Sequence, residues 1–184
     1  MTSRNLRRTQ NLVDFGLFIT AKEFYEAAKL IKGNEFVSRP YHVILSFSVE
    51  LFLKSIQTTT VWPSAVASSV EHTKGHSLSE IFASMESKHP EDSGYLEEKY
   101  HLKHGRSLKH DLSLNSDVFM KQRYPYQKGG AIPSISVFDR DLLNPQYGND
   151  IAVYVDELER VASFLHDELI VHFPGLFDNV STHG

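Results

Sequence analysis

Cysteine is absent from the 184-residue chain, which removes disulfide frameworks, thiolate metal sites and cysteine nucleophiles together and leaves nothing pointing to an oxidising compartment. No apolar run approaches the roughly 18 residues that a membrane span needs. Met1 to Gln10 is polar, carries Arg4, Arg7 and Arg8, and has no apolar stretch behind it, so no export signal is expected and a cytoplasmic protein is the simplest reading. Charge of one sign is scarce as well: 19 Lys and Arg against 23 Asp and Glu give a net charge of −4, too mild a field to draw the whole molecule onto nucleic acid or an anionic membrane. Also missing are the Gly-x-Ser-x-Gly elbow, the Walker-type loop, Gly-x-Gly-x-x-Gly and His-Glu-x-x-His. Hydrolase, NTPase, dinucleotide-binding and zincin chemistry therefore lack their minimal parts, and no cofactor is expected.

What remains is a chain with 41% apolar residues, enough to bury one core, so residues 1–184 are read as a single domain. Polar residues 1–11, a long connector at 128–149 and a tail at 174–184 lie outside its regular elements. Leu17, Phe18, Ala21, Phe24, Tyr25, Ala28 and Ile31 repeat at three and four and predict a first helix over 12–32. Pro40 suits the first turn of a second helix reaching about Gln57. Its apolar residues surround nearly the whole circumference, from Tyr41 and Val43 to Leu53 and Ile56, which predicts a central helix touched on several sides.

The stretch from Thr58 to Gly75, with Pro63 and many Ser and Thr, is read as a connection with at most one helical turn, its β-branched run too isolated to found a sheet. Ser77 and Glu80 form a capping-box pattern before the stripe Leu78, Ile81, Phe82 and Met85. A polar helix after Pro90, a short helix from Asp111 to Arg123, and a long last helix capped by Asn149 or Asp150 complete the series. An all-α antiparallel helical bundle is the fold with fewest conflicts.

Three groups of residues invite chemistry. Lys99, Lys103, Arg106 and Lys109, interleaved with His101, His104 and His110, could meet RNA phosphates, although such a segment is more commonly a solvated face. Glu50 sits on a helix apolar almost all round and needs a partner, for which Lys54, one turn later, is in the favourable orientation. Glu86-x-x-His89 and Glu98-x-x-His101 have the spacing of a di-iron bundle but lie in short polar segments on either side of Pro90, so no metal site is expected.

The run Tyr41-His42-Val43-Ile44-Leu45-Ser46-Phe47-Ser48-Val49-Glu50-Leu51-Phe52-Leu53-Lys54, then Gly75-His76-Ser77-Leu78, then Phe119 to Tyr124, resembles the HEPN family. There a Glu-x-x-x-Lys helix precedes a Gly-His-x-Leu helix start, and some branches carry an Arg-Tyr pair farther on. The likeness spans about residues 12 to 170, on short and degenerate motifs.

The resemblance implies a HEPN-like bundle, frequently a homodimer, in prokaryotic toxin–antitoxin, antiviral defence or RNA-processing systems. Many such proteins are metal-independent endoribonucleases whose Arg-x(4 to 6)-His motif is paired across a dimer, while others bind RNA, nucleotides or a protein partner. Arg160 and His166 have the spacing, with Arg160 to stabilise the transition state and His166 to move a proton. Yet six residues of ideal helix separate two side chains by about 120°, and Val161 replaces the usual polar residue. Arg106 to His110 is one residue too short. The packing of the family would also gather Glu50, Lys54, His76, Arg123 and Tyr124, either as a structural ion network or as the polar floor of a ligand pocket. Three functions follow: a binding module for RNA or a protein partner without robust catalysis, an endoribonuclease, and a purely structural interaction protein.

Overall fold

The computed structural model describes residues 6–9, 13–34, 38–56, 58–62, 69–123 and 153–171. Its elements are β1 (Leu6–Thr9), α1 (Phe15–Ile31), α2 (Ser38–Ser55), β2 (Thr59–Trp62), β3 (Ser69–Glu71), α3 (Leu78–Lys88), α4 (Pro90–His104), α5 (Leu108–Leu114), α6 (Val118–Arg123) and α7 (Val155–Val171). Helices make up most of this architecture, and none of those described is long and apolar enough to cross a membrane.

The first helix starts where Asp14 accepts a hydrogen bond from the Leu17 N–H at 2.9 Å, satisfying one of the free donors of its first turn. It ends before Gly33, whose φ of 80° suits glycine. Its stripe Phe18, Ala21 and Ala28 is buried against α2. The second helix is the axis of the molecule. Tyr41, Leu45, Val49, Leu51, Phe52 and Leu53 are all buried on it, and α1, α3, α6 and α7 pack around it. Its buried serines cause no deficit, because Ser46, Ser48 and Ser55 donate to the carbonyls of Val43, Leu45 and Phe52 one turn back.

His42, also on α2, is 0% exposed. Burial lowers its pKa to about 4, with the Glu159 carboxylate acting in the opposite sense. A base whose folded pKa lies below its unfolded value contributes stability that is complete above the unfolded pKa, near 6.5, and is lost as pH falls towards 4. Urea titrations at about pH 7 and pH 5 should differ by roughly 2 kcal/mol from this group. His42→Leu should flatten that difference; an unchanged slope would mean that the imidazole is already solvated.

The expectation for residues 58–75 is corrected. β2 pairs antiparallel with β1, Leu6 opposite Trp62 and Thr9 opposite Thr59, and with β3, Thr59 opposite Glu71 and Val61 opposite Ser69. The β-branched run Thr59 to Val61 is thus not isolated: residues from the polar N-terminal segment supply a ladder on one side and residues 69–71 on the other. The two strands flanking β2 are far apart in sequence, so no local pattern advertised the sheet.

Two helix boundaries also differ. The helix expected from Asp111 to Arg123 is two. Ser107 caps α5 earlier by accepting from the His110 N–H, and buried Asn115 stops it. The Asn115 amide then pairs with the Tyr154 backbone, donating to its carbonyl and accepting from its N–H, both at 3.0 Å. That pairing holds Tyr154 outside the helix, so α7 begins at Val155 and not at Asn149 or Asp150. The connector 128–149 and tail 174–184 lie outside the described residues.

Candidate functional site

Two polar clusters are held inside the bundle. The first contains Glu50. It is 1% exposed, and Lys54 Nζ donates to its Oε1 at 2.7 Å, as the i, i+4 spacing on α2 predicts. Lys54 also donates to the Gly75 carbonyl at 2.6 Å. His76 Nδ1 lies 3.0 and 3.1 Å from the two Glu50 oxygens. Gly75 has φ 94°, a conformation glycine adopts freely, and it turns the chain so that the carbonyl and the next side chain both face α2.

Three ionisable side chains and a carbonyl thus satisfy one another. The turn before α3 is clamped to the central helix, and Ser77 caps α3 by accepting from the Glu80 N–H.

Arg123 reaches this cluster through an aromatic ring. Its guanidinium carbon is 4.9 Å from the Phe119 ring centre. The His76 ring is 5.0 Å from the same centre, and Phe47 of α2 stacks on Phe119 at 5.0 Å. Of the five residues expected together, Glu50, Lys54 and His76 are in contact and Arg123 adjoins them through Phe119; Tyr124 lies outside the described residues.

The second cluster was not foreseen. Asp111 is 0% exposed, and Arg106 grips it from Nε at 2.9 Å to Oδ2 and from Nη2 at 2.7 Å to Oδ1, the bidentate geometry that suits a guanidinium and a carboxylate. Tyr100 Oη donates to Oδ2 at 2.7 Å and Arg160 Nη1 at 3.4 Å. Arg106 also reaches Glu157 at 3.4 Å. Burial pushes the Asp111 carboxyl upward, but the hydrogen bonds of Arg106 and Tyr100 and the two arginine charges outweigh it, and the net shift is downward. Burial and then the Asp111 hydrogen bond raise the Tyr100 phenol. The sequence carries a signal for it: Leu108, Asp111, Leu112 and Asn115 are the buried face of α5 and its end, an i, i+3, i+4, i+7 stripe with two polar members.

This cluster decides where several sequence candidates go. Arg106 is committed to Asp111 and Glu157. Lys103 pairs with Asp167 at 3.2 Å and Lys109 with Glu86 at 2.8 Å, while Lys99 lies 5.4 Å over the Tyr95 ring. The segment expected to meet phosphate is therefore interlaced with carboxylates from α3, α5 and α7.

Arg160 and His166 are not brought together within α7. Arg160 turns to Asp111 between α4 and α5. His166 packs on α1 and α2, its ring 4.9 Å from Tyr25 and 6.2 Å from Phe52, with Nδ1 on Asp167 at 3.0 Å. The imidazole nearest in effect to Arg160 is that of His104, whose pKa is lowered by burial first and then by the Lys103 and Arg160 charges. Glu86 and Glu98, the acids of the two Glu-x-x-His spacings, lie on different helices, and no three metal-ligating side chains converge among the described residues. Comparisons with protein-family models, with curated proteins and with solved structures return no match.

Proposed function

We propose that this protein is a HEPN-like helical module that acts by holding a partner and not by cutting RNA through Arg160 and His166. The observation that carries the reading is the commitment of Arg160 to buried Asp111, while His166 packs on Tyr25 and Phe52. Presenting Arg160 to a phosphodiester, within one chain or across a dimer, would leave a buried carboxylate short of a cation. The likeness to the family is supported by the contact between its two motif segments: Glu50 and Lys54 of the Glu-x-x-x-Lys helix bind His76 and Gly75 of the Gly-His-x-Leu start. A place in a defence or toxin–antitoxin system, and a homodimeric state, belong to this proposal.

Between RNA and a protein as that partner, the charge pairing favours protein. A cation already neutralised by a neighbouring carboxylate releases few counterions from a nucleic acid. Wild type and the Lys99→Glu/Lys103→Glu/Lys109→Glu variant should therefore bind RNA equally weakly at low salt in a filter assay. A strong, salt-sensitive interaction abolished by those changes would reinstate RNA. Arg106 is left out of the variant because its loss would disturb the Asp111 cluster. Incubation with total RNA and EDTA should give no cleavage; cleavage lost in His166→Ala would overturn the proposal in favour of the endoribonuclease.

A further inference from the structure

The histidines of the described chain differ in what holds each ring nitrogen. The two His42 nitrogens are buried, as is Nε2 of His104 and of His166. His72 directs Nδ1 at a neutral acceptor, the Thr73 carbonyl, at 2.9 Å, and His101 and His110 are exposed. His76 combines two properties that the others have singly or not at all. Its Nδ1 lies on a carboxylate that is 1% exposed, and its side chain is 45% exposed.

A carboxylate accepts but does not donate, so the Nδ1 position carries the proton and the lone pair of the neutral ring is on Nε2. Lys54, which also donates to the Gly75 carbonyl, donates to the same carboxylate. His166 provides the contrast within the same molecule: it also has a carboxylate at Nδ1, but Asp167 is 54% exposed and Nε2 is shut in.

We propose that His76 is an activated imidazole nucleophile whose Nε2 accepts a phosphoryl group from a phosphoramidate or acyl-phosphate donor, with Glu50 as its positioning residue. In the step, the Nε2 lone pair forms a bond to phosphorus while the bond from phosphorus to the leaving group breaks. The leaving group departs with that electron pair, as ammonia from a protonated phosphoramidate. The ring becomes an imidazolium bearing the phosphoryl group on Nε2, and the Glu50 carboxylate stabilises its positive charge through the Nδ1–H, as the acid of a hydrolytic triad does for its histidine. No oxidant, metal or second substrate enters. The inference stands apart from the partner-binding reading, since a module can carry a modifiable histidine whether or not it cuts or holds RNA.

The test uses the full chain and potassium phosphoramidate. Phosphorus NMR and peptide mapping under alkaline conditions report which histidine is modified and on which nitrogen. His76 should be phosphorylated on Nε2 about tenfold faster than exposed His101 and His110, and Glu50→Gln should slow it to their rate with the helical circular dichroism unchanged. Within the wild type alone, equal rates at His76, His101 and His110, or modification of His76 at Nδ1, would overturn the proposal irrespective of how the variant folds.

Discussion

Asp111→Ala is expected to destabilise the protein by about 3–5 kcal/mol, the cost of removing one partner from a buried charge cluster. The size follows from what the substitution leaves behind. Arg106 and Arg160 would face each other without the carboxylate that both bind, and the Tyr100 hydroxyl would lose its acceptor in a place where it is fully buried. Asp111→Asn keeps the shape and an acceptor oxygen but not the charge, and should cost less. Urea denaturation with an unchanged slope is the measurement. A loss below about 1 kcal/mol for the alanine variant would place Asp111 among ordinary surface pairs, and with it would go the account of why Arg160 is unavailable to RNA.

The second large effect concerns Glu50 and Lys54, and it shrinks when both are replaced together. Glu50→Ala alone strands Lys54 at 6% exposure and releases the turn at Gly75 and His76; Lys54→Ala alone strands the carboxylate. Each should cost about 3–5 kcal/mol. Glu50→Leu with Lys54→Met removes both charges and fills the space with apolar atoms, so most of the loss should be recovered. A double-mutant cycle by chemical denaturation, with Glu50→Leu and Lys54→Met made singly and together, decides it. Additive losses would show that the two groups do not interact, contrary to a 2.7 Å contact.

How much of this was legible in the sequence depends on the range of the interaction concerned. Glu50 was legible because its conflict is local: a carboxylate on a helix with no polar side must be neutralised, and Lys54 stands one turn away. The buried face of α7, including Leu158, Ala162, Leu165 and Leu169, and the Ser77 cap follow from spacing for the same reason. The polar helix after Pro90 was also readable, with Pro90 at its start and Gly105 at φ 65° closing it.

The Asp111 cluster was less so, because its members come from α4, α5 and α7 and meet only once those helices pack. Arg106 and Arg160 could be assigned to phosphate only while their acids were unknown. The sheet and the Asn115–Tyr154 pairing are non-local in the same way: each joins segments whose proximity no propensity encodes.

Thr59 to Trp62 completes β1 only after α1 and α2 have been made in between. During synthesis at about 5–20 residues per second, Leu6–Thr9 therefore spends several seconds with both edges of its backbone open. The two helices that follow can meanwhile pair with each other through neighbouring contacts. Birth order and assembly order thus differ: the strand translated first is secured only after the two helices behind it, and its pairing closes a loop of chain that contains the α1–α2 hairpin.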